Sequence, residues 1–423
     1  MKTLVQLQQN AKAQFDLTAA ADQASLYTLA ENLLALPDLE MDALKKAALA
    51  PTTPLEFKIA AKLVDSRQYM QTITTPVHLA VVFAMWGEQN RLHPKSDDNP
   101  HGEDSLRTKL AQLDWVTQET AVTWTLIAVD DGCPHNSGHT AQESAATPPP
   151  GDHVSGRCLT DAVPTHSGPL TNLTAAHESR KGGASIYGCM AALDHHADAI
   201  IYTDADNSVH LGQIGLLLRP FLAENYRMVL GNRKHPEAVL VKQEGRWGIG
   251  IKVLRHMQRM IGQAIFSRDN GRDIRDTQAA FKLYQSDLLA QIIAEPTVYD
   301  FSFDTDWILA AIARDERFAL VPFAFIDSAA ESASITQGPM TTWETLLLGL
   351  RKAVAARGVP TNDEMVRVLD EEIHDYRDLE LLINHLPPEL ENASDAQLGD
   401  PVTMSPKALQ IWIQKRKNET AVS

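Results

Sequence analysis

The chain has 423 residues, of which 44% are hydrophobic and 22% are charged, and its formal net charge is −16. Such a length and composition are typical of a globular protein with two or three domains, or with one large domain and extensions. The negative charge argues against a general nucleic-acid-binding protein and against docking on anionic lipid, because both need a basic surface.

The cysteines and the apolar segments indicate the compartment. Cys133, Cys158 and Cys189 form no CxxC pattern, which favours a reduced, intracellular setting. The N-terminus has no apolar stretch of signal-peptide length, and the sequence has no run of about 18 apolar residues. We therefore expect a cytoplasmic protein without a transmembrane segment.

Residues 1–74 are predicted to form an N-terminal helical region. Apolar residues recur at helical spacing from Leu26 to Leu36, Pro37 ends that segment, and a second amphipathic stretch covers residues 55–70. No residue pattern here indicates chemistry, so helical packing or dimerisation is the expected role.

Strand-like apolar runs begin after Pro76 and alternate with helical patterns. The runs cover residues 77–85, 124–129, 199–202 and 226–231, and they are nearly continuous, as in buried parallel strands. Strands that alternate with helices predict an α/β fold with a mostly parallel, Rossmann-like sheet, here in a domain of residues 75–338. Helical patterns return in residues 339–423, where we expect a C-terminal helical region for packing or dimerisation.

Residues 134–172 interrupt this alternation. They are rich in Pro, Gly, Ser, Thr and His and show no periodicity, which predicts a functional loop or a mobile insertion. Its four histidines and Cys158 fit no standard zinc spacing, so a structural zinc site is the weaker alternative to a loop that orders on substrate binding.

Two acids, Asp204 and Asp206, directly follow the apolar run 199–202. In open α/β sheets ligands bind at the carboxyl ends of the strands. Carboxylate oxygens are ligands that suit Mg²⁺ or Mn²⁺, and such an ion can in turn hold a diphosphate. Two acids after a strand also occur as a plain solvated turn, so the interpretation depends on the neighbouring motifs.

Six further motifs stand near the ends of predicted strands or at helix starts, and their order along the chain is as informative as their content: Trp86-Gly87-Glu88, Asp130-Asp131-Gly132, Arg180-Lys181-Gly182-Gly183, Gly231-Asn232-Arg233, Asp276-Thr277-Gln278 and Phe303-Asp304-Thr305-Asp306. Together with the Asp-x-Asp pair, they resemble the glycosyltransferases of the GT-A fold, family 2. The most similar branch is that of the dolichyl-phosphate sugar synthases. The resemblance covers about residues 76–335.

The resemblance implies a role for each donor-side residue. Trp86, Glu88 and Asp131 would contact the nucleobase and ribose, and Lys181 would contact the diphosphate or the ribose. In the Asp-x-Asp pair, Asp206 would bind the metal directly, and Asp204 would contact the ribose or reach the metal through water.

The remaining motifs imply the residues of the transfer step. Arg233 would face the sugar or the acceptor, and Asp276 and Gln278 would lie near the transferred sugar. Asp304 or Asp306 would be the general base that takes a proton from the acceptor hydroxyl. Family 2 members generally invert the anomeric configuration, which implies a single displacement.

The implied function is that of a metal-dependent hexosyltransferase with Mn²⁺ or Mg²⁺ as cofactor and a UDP- or GDP-hexose as donor. The acceptor stays open between a glycan, a polyol, a protein and a polyprenyl phosphate. A nucleotidyltransferase is one alternative, although residues 85–92 lack the Gly-rich loop with Arg and Lys that is usual there. A non-catalytic scaffold is another, because Ala84, Gly87 and Cys133 depart from the family pattern.

Overall fold

The computed structural model describes residues 3–135, 137–146, 153–242, 248–267, 274–328 and 339–422. Its first part is helical, and the helices are α1 (Leu4–Asn10), α2 (Ala20–Leu34), α3 (Met41–Leu49) and α4 (Leu55–Gln71). Thr3 caps α1 in a capping box with Gln6. Leucines of α2, spaced one turn apart, pack with Phe57 and Leu63 of α4 in one apolar cluster.

The central part alternates strands and helices as the sequence pattern predicts. Its elements are β1 (Val77–Met85), α5 (Ser105–Thr117), β2 (Val122–Asp130), α6 (Ser137–Ala146), β3 (Val154–Cys158), α7 (Gly182–Asp194), β4 (Ala199–Thr203), α8 (Ile214–Ala223), β5 (Met228–Gly231), β6 (Val239–Val241), α9 (Ile251–Ile261), α10 (Gln263–Phe266), β7 (Phe281–Gln285), α11 (Ser286–Ile293), α12 (Phe303–Ile312), β8 (Phe318–Val321) and β9 (Ala324–Ile326).

Seven of these strands form one sheet in the order β3-β2-β1-β4-β7-β5-β8. All neighbours pair in parallel except β7, which runs antiparallel to both β4 and β5. Its first residue, Phe281, lies opposite Thr203, the last residue of β4. The start of β7 therefore lies at the edge where the parallel strands end. A small second sheet pairs β6 with β9.

The sheet separates two apolar clusters because alternate strand residues face opposite sides. Ile200 and Tyr202 of β4 belong to one cluster, and Ala199 and Ile201 belong to the other. All four side chains are fully buried. Burial on both faces explains why these strands are continuous apolar runs in the sequence.

Segment 134–172 differs from the aperiodic loop that we predict from its composition. Its described residues include α6 and β3, and β3 pairs in parallel with β2 at the edge of the sheet. The N–H groups of Cys133 and Gly138 donate to the Asp130 carboxylate, at 2.6 and 2.5 Å, which fixes the start of α6. Both elements are short and polar, so neither gives a clear hydrophobic period.

The last part is again helical, with α13 (Pro339–Arg357), α14 (Asp363–Glu372), α15 (Tyr376–Ile383), α16 (Pro388–Glu391) and α17 (Pro406–Val422). Helices α14 and α15 are separate, because Ile373 leaves the helical conformation and Asp375 caps α15. One apolar cluster joins these helices to α9, α12 and one sheet face.

The predicted fold class is confirmed: a mostly parallel α/β sheet lies between N- and C-terminal helical regions. Among the helices of the described ranges, none is long and apolar enough to cross a membrane.

Candidate active site

The predicted site residues converge at one edge of the sheet. Trp86 and Glu88 follow β1, Asp131 follows β2, and β1 and β2 end side by side, with Met85 opposite Asp130. Asp204 and Asp206 follow β4, the other neighbour of β1. On the far side of β4, Gln278 and Asp276 precede the antiparallel β7, and Arg233 follows β5. Because β7 runs antiparallel to its neighbours, the residues that precede it lie at the edge where the parallel strands end.

Lys181 links three parts of this edge. Its backbone N–H donates to Asp131 Oδ2, and its Nζ donates to Asp204 Oδ1 at 2.6 Å. The ammonium also lies 4.9 Å from the centre of the Phe301 ring. Lys181 therefore connects the ends of β2 and β4 with the start of α12.

The turn that carries Lys181 holds an unfavourable backbone conformation. Arg180 and Lys181 have φ of 43° and 89°, a region that non-glycine residues seldom adopt. The glycines of this motif serve close packing, because a Cβ at Gly182 would lie 2.5 Å from the Tyr299 carbonyl oxygen. Strain of this kind persists where surrounding contacts enforce it, and it is concentrated at functional sites.

Asp204 and Asp206 have different electrostatic environments. Burial acts to raise the pKa of Asp204, but Lys181 outweighs it and holds that pKa below its ordinary value. The pKa of Asp206 is raised by burial and then by the charges of Asp204 and Glu103. Among its hydrogen bonds, Asp206 Oδ1 accepts the Ser208 N–H at 3.0 Å.

The pair fits a divalent cation in its donor chemistry. Both side chains offer carboxylate oxygens, the ligand type that Mg²⁺ and Mn²⁺ prefer, and a cation would relieve the repulsion that raises the pKa of Asp206. Within the described part of the chain, no group of three or more His, Cys, Asp or Glu side chains is arranged to hold a metal. The two aspartates would thus need further ligands from a bound substrate or water.

Behind the pair lies a buried ionic network that the sequence motifs do not reveal. Lys109 of α5 is fully buried and donates from Nζ to the backbone oxygen of Asp206. Glu103 accepts the Asn207 N–H at 2.8 Å, the Ser328 hydroxyl at 2.6 Å and Arg91 Nε at 3.2 Å. These contacts fix the 204–208 turn on its buried side. Neither Glu103 nor Lys109 stands in a local pattern that the sequence could show.

The nucleobase-side candidates surround the ends of β1 and β2. Trp86 is 36% exposed, whereas Glu88 is buried and pairs with Arg91 at 2.6 Å. Burial raises the pKa of Asp131 to about 7. Its Oδ1 atom is buried and forms no hydrogen bond of normal length and angle within the described residues, although the nearby Ser179 hydroxyl acts to lower the pKa of the carboxyl. An unpaired buried acceptor of this kind suits a donor group of a ligand.

Arg233 and Asp276 form one rigid unit across β5 and β7. Asp276 accepts the Arg233 backbone N–H at 2.8 Å, Nε at 2.9 Å and the terminal guanidinium nitrogen at 2.7 Å. These bonds outweigh burial and lower the pKa of Asp276. The guanidinium also lies over the Phe325 ring, 4.8 Å from its centre. The pair is therefore fixed in position by bidentate geometry.

Asp304, near the start of α12, faces the same edge. Its Oδ1 accepts Lys282 Nζ at 2.7 Å, and Lys282 also donates to the Ala279 carbonyl oxygen at 2.6 Å. The pKa of Asp304 is raised by burial, although Lys282 and Lys181 act against this. Gln278 donates to Thr305 on the same helix at 3.3 Å.

Asp306, two residues further along α12, has a different environment. It is fully buried and accepts Arg357 Nε at 2.9 Å, the Arg357 terminal nitrogen at 3.0 Å and the Thr297 N–H at 3.1 Å. These contacts tie α12 to the end of α13. Asp306 is thus paired with Arg357 of the C-terminal helical region, whereas the ion pair of Asp304 is with Lys282, a residue of β7 at the sheet edge.

Replacing Asp306 with alanine is expected to destabilise the fold by about 3–5 kcal/mol, because Arg357 would stay buried without its carboxylate. Urea unfolding measures this loss. The matched control is the double variant Asp306→Ala/Arg357→Met, which should recover much of the stability. Unchanged stability with loss of turnover would instead give Asp306 a catalytic role.

The histidines of segment 134–172 do not assemble a metal site within the described residues. His139 pairs with Glu143 at 3.2 Å on the surface, and His153 packs against the Trp124 ring at 5.3 Å. The three cysteines are free thiols.

No protein-family model matches the chain, and no curated protein matches it. Similar solved structures include glucosyl-3-phosphoglycerate synthase from Mycobacterium tuberculosis, at 13% identity and a TM-score of 0.43, over 70% of this chain and 85% of that chain. Its complex with Mn²⁺, UDP-glucose and phosphoglyceric acid gives 14% and 0.43, over 70% and 84%. Mannosyl-3-phosphoglycerate synthase from Rubrobacter xylanophilus gives 12% and 0.44, over 69% and 77%.

Proposed function

We propose that this chain is a metal-dependent glycosyltransferase of the GT-A fold that transfers a hexose from a UDP- or GDP-sugar to an acceptor, with inversion. The observation that carries the proposal is the convergence of residues from seven separate motifs on one sheet edge. Lys181 belongs to one of these motifs and donates hydrogen bonds to two others, at Asp131 and at Asp204.

The β1, β2 and β4 ends would bind the nucleotide. Trp86 offers an exposed ring for stacking on a base, and Asp131 offers its unpaired Oδ1 to a base or ribose donor group. Lys181 would bring positive charge to the diphosphate. Asp204 and Asp206 would hold Mn²⁺ or Mg²⁺, which when bound neutralises charge on the departing nucleoside diphosphate.

The β5, β7 and α12 side would bind the sugar and activate the acceptor. The fixed Arg233–Asp276 pair and Gln278 present donors and acceptors to sugar hydroxyls. Asp304 would accept the proton of an acceptor hydroxyl, and its raised pKa makes it a better base than an exposed aspartate. Lys282 orients the Asp304 carboxylate and would stabilise its ionised form after the substrate has left.

Product analysis tests the reaction class. The protein is incubated with UDP-glucose or GDP-mannose, Mn²⁺ and a mixture of hydroxylated acceptors, and the products are followed by ¹H and ³¹P NMR. Release of the nucleoside diphosphate with a new, inverted anomeric signal supports the proposal. A parallel incubation contains UTP or GTP, a hexose 1-phosphate and Mn²⁺, and release of pyrophosphate there would point to a nucleotidyltransferase instead.

A further inference from the structure

A buried chain of hydrogen bonds joins the nucleobase side of the candidate site to the Asp-x-Asp turn. Arg91 donates from Nη1 to Glu88 Oε2 at 2.6 Å and from Nε to Glu103 Oε1 at 3.2 Å. Glu103 Oε2 in turn accepts the N–H of Asn207, the residue directly after Asp206, at 2.8 Å. We call this chain the buried bridge, and its members are Glu88, Arg91, Glu103 and Asn207.

The charged members of the buried bridge are shielded from solvent. The side chain of Glu103 is 1% exposed, that of Arg91 is 7% exposed, and that of Glu88 is 11% exposed. A buried ion pair resists the loss of either partner, because the remaining charge would stay uncompensated. The bridge is therefore a fixed part of the molecule, unlike the exposed ion pairs of a protein surface.

Glu103 is the branching point of the bridge. Its Oε1 also accepts the Ser328 hydroxyl at 2.6 Å, and its carbonyl oxygen accepts the side-chain amide of Asn207 at 3.0 Å. Its backbone N–H lies 3.3 and 3.0 Å from the carbonyl oxygens of Arg91 and His93 and donates to both. The loop between β1 and α5 is thereby closed at its base, which keeps Glu103 and Arg91 in one relative position.

The Asp-x-Asp end of the bridge is held by the same part of the chain. Lys109 of α5 donates from Nζ to the backbone oxygen of Asp206, and Asp206 Oδ1 accepts the Ser208 N–H at 3.0 Å. A displacement of this turn would therefore act on Glu103 through Asn207 and on α5 through Lys109.

The two ends of the bridge also interact electrostatically. Burial raises the pKa of Glu88, Arg91 acts against this, and the charges of Asp206 and Glu103 raise it further. A cation bound at Asp206 would offset part of this repulsion and favour the ionised form of Glu88. Within the described part of the chain Glu88 uses Oε2 for Arg91, and its Oε1 accepts no hydrogen bond. Oε1 is thus available to a donor group of a nucleoside.

We infer that Glu103 is a positioning residue that couples these two ends, so that a divalent cation at the Asp-x-Asp pair raises the affinity for a nucleoside at Glu88. By thermodynamic linkage, the nucleoside raises the affinity for the cation by the same factor. The inference rests on the proposed function, which assigns the nucleotide and the metal to this edge. It goes beyond that function because the coupling runs through the protein and does not require a diphosphate that contacts both partners.

Uridine and guanosine test the coupling, because a nucleoside has no phosphate that could touch the cation. Their dissociation constants are measured by ligand-observed NMR with and without Mg²⁺. In the unaltered protein Mg²⁺ should raise the affinity for one nucleoside by about fivefold or more. In Glu103→Gln this rise should be lost, because one carboxylate oxygen becomes an NH₂ group, which cannot accept from Arg91 or from Asn207.

Two further variants complete the comparison, and urea unfolding shows that each variant is folded. Asp65→Asn is the matched control, because Asp65 is also a buried carboxylate that binds an arginine, Arg219 of α8, at 2.6 Å. It should keep the full rise. Arg91→Lys retains the buried positive charge but presents a single nitrogen in place of the separate Nη1 and Nε donors, so it should lose most of the rise. It decides the question if Glu103→Gln does not fold.

Each outcome supports or overturns the inference. A full rise in a folded Glu103→Gln or Arg91→Lys variant, or no rise in the unaltered protein, overturns it. So does the absence of nucleoside binding by an unaltered protein that binds a nucleotide sugar, and the proposed function then stands. If no nucleotide sugar binds, the proposed function is contradicted, while an effect of Mg²⁺ on nucleoside affinity would still be readable.

The affinity for Mn²⁺ is an independent measure of the same coupling. Titration followed by EPR gives this affinity with and without the nucleoside, and the two should differ by the factor found for the nucleoside. A merely structural role of Glu103 would weaken Mn²⁺ binding equally in both conditions and leave their ratio unchanged. We expect Glu103→Gln to bind Mn²⁺ with one affinity, whether or not the nucleoside is present.

Discussion

Asp206→Ala is expected to abolish metal-dependent donor binding and to lower turnover by about 1,000-fold or more, while the fold is retained. The pKa of Asp206 is raised by burial and by its acidic neighbours, so a bound cation would stabilise the ionised carboxylate. Loss of one charge-stabilising group at the leaving group typically costs about 100- to 1,000-fold, and loss of the metal would cost more. Calorimetry with and without Mn²⁺ measures the loss of donor affinity.

Two further variants make this result interpretable. Asp206→Asn retains an oxygen for the Ser208 N–H, so it separates loss of charge from loss of the turn. Asp97→Ala removes an exposed acid and should leave donor binding unchanged. Normal Mn²⁺-dependent binding by Asp206→Ala would show that the metal is held elsewhere or is not needed.

Asp304→Asn is expected to leave donor binding intact and to lower turnover by about 100- to 10,000-fold, the usual contribution of a general base. The amide can still accept from Lys282, so the buried contact is kept in part. Steady-state rates at saturating donor give the change in kcat, and calorimetry gives donor affinity. Urea unfolding of Asp304→Asn separates a chemical role from a structural one, because Asp304 also forms a buried ion pair with Lys282.

The pH dependence of turnover is a further test, because a purely structural role of Asp304 would not produce it. Because burial raises the pKa of Asp304 above its ordinary value, turnover should fall as the pH drops through that raised pKa and the carboxylate takes up its proton. Asp304→Asn should lack this acid limb. Full activity of Asp304→Asn would exclude the base role, as would be expected if the attacking atom were an already ionised phosphate oxygen.

The strands and their ends are the part of the fold that the sequence predicts well. The run 77–85 coincides with β1, and the Asp-x-Asp pair directly follows β4, because strands buried on both faces must be apolar and their ends must be polar. The direction of β7 is not visible in the same way. Nothing in residues 281–285 distinguishes an antiparallel strand from a parallel one, yet that direction brings Asp276 to the site.

The site shows a similar division between what local sequence reveals and what it does not. Asp304 and Asp306 are two residues apart, about 200° around a helix, so only the tertiary structure shows which one faces the sheet edge. Glu103 and Lys109 support the 204–208 turn from a distance of about 100 positions in sequence. Such long-range contacts leave no local pattern.

Binding of a panel of nucleotide sugars, measured by calorimetry with and without Mn²⁺, tests the central claim most directly. The panel is UDP-glucose, UDP-galactose, UDP-GlcNAc and GDP-mannose, with ATP and CTP as controls. We expect one sugar nucleotide to bind in a Mn²⁺-dependent manner, and Lys181→Ala to weaken that binding because its bridge to Asp204 is lost. If the folded protein binds none of the sugar nucleotides, or binds only ATP or CTP, the account of this sheet edge as a glycosyltransferase site is contradicted.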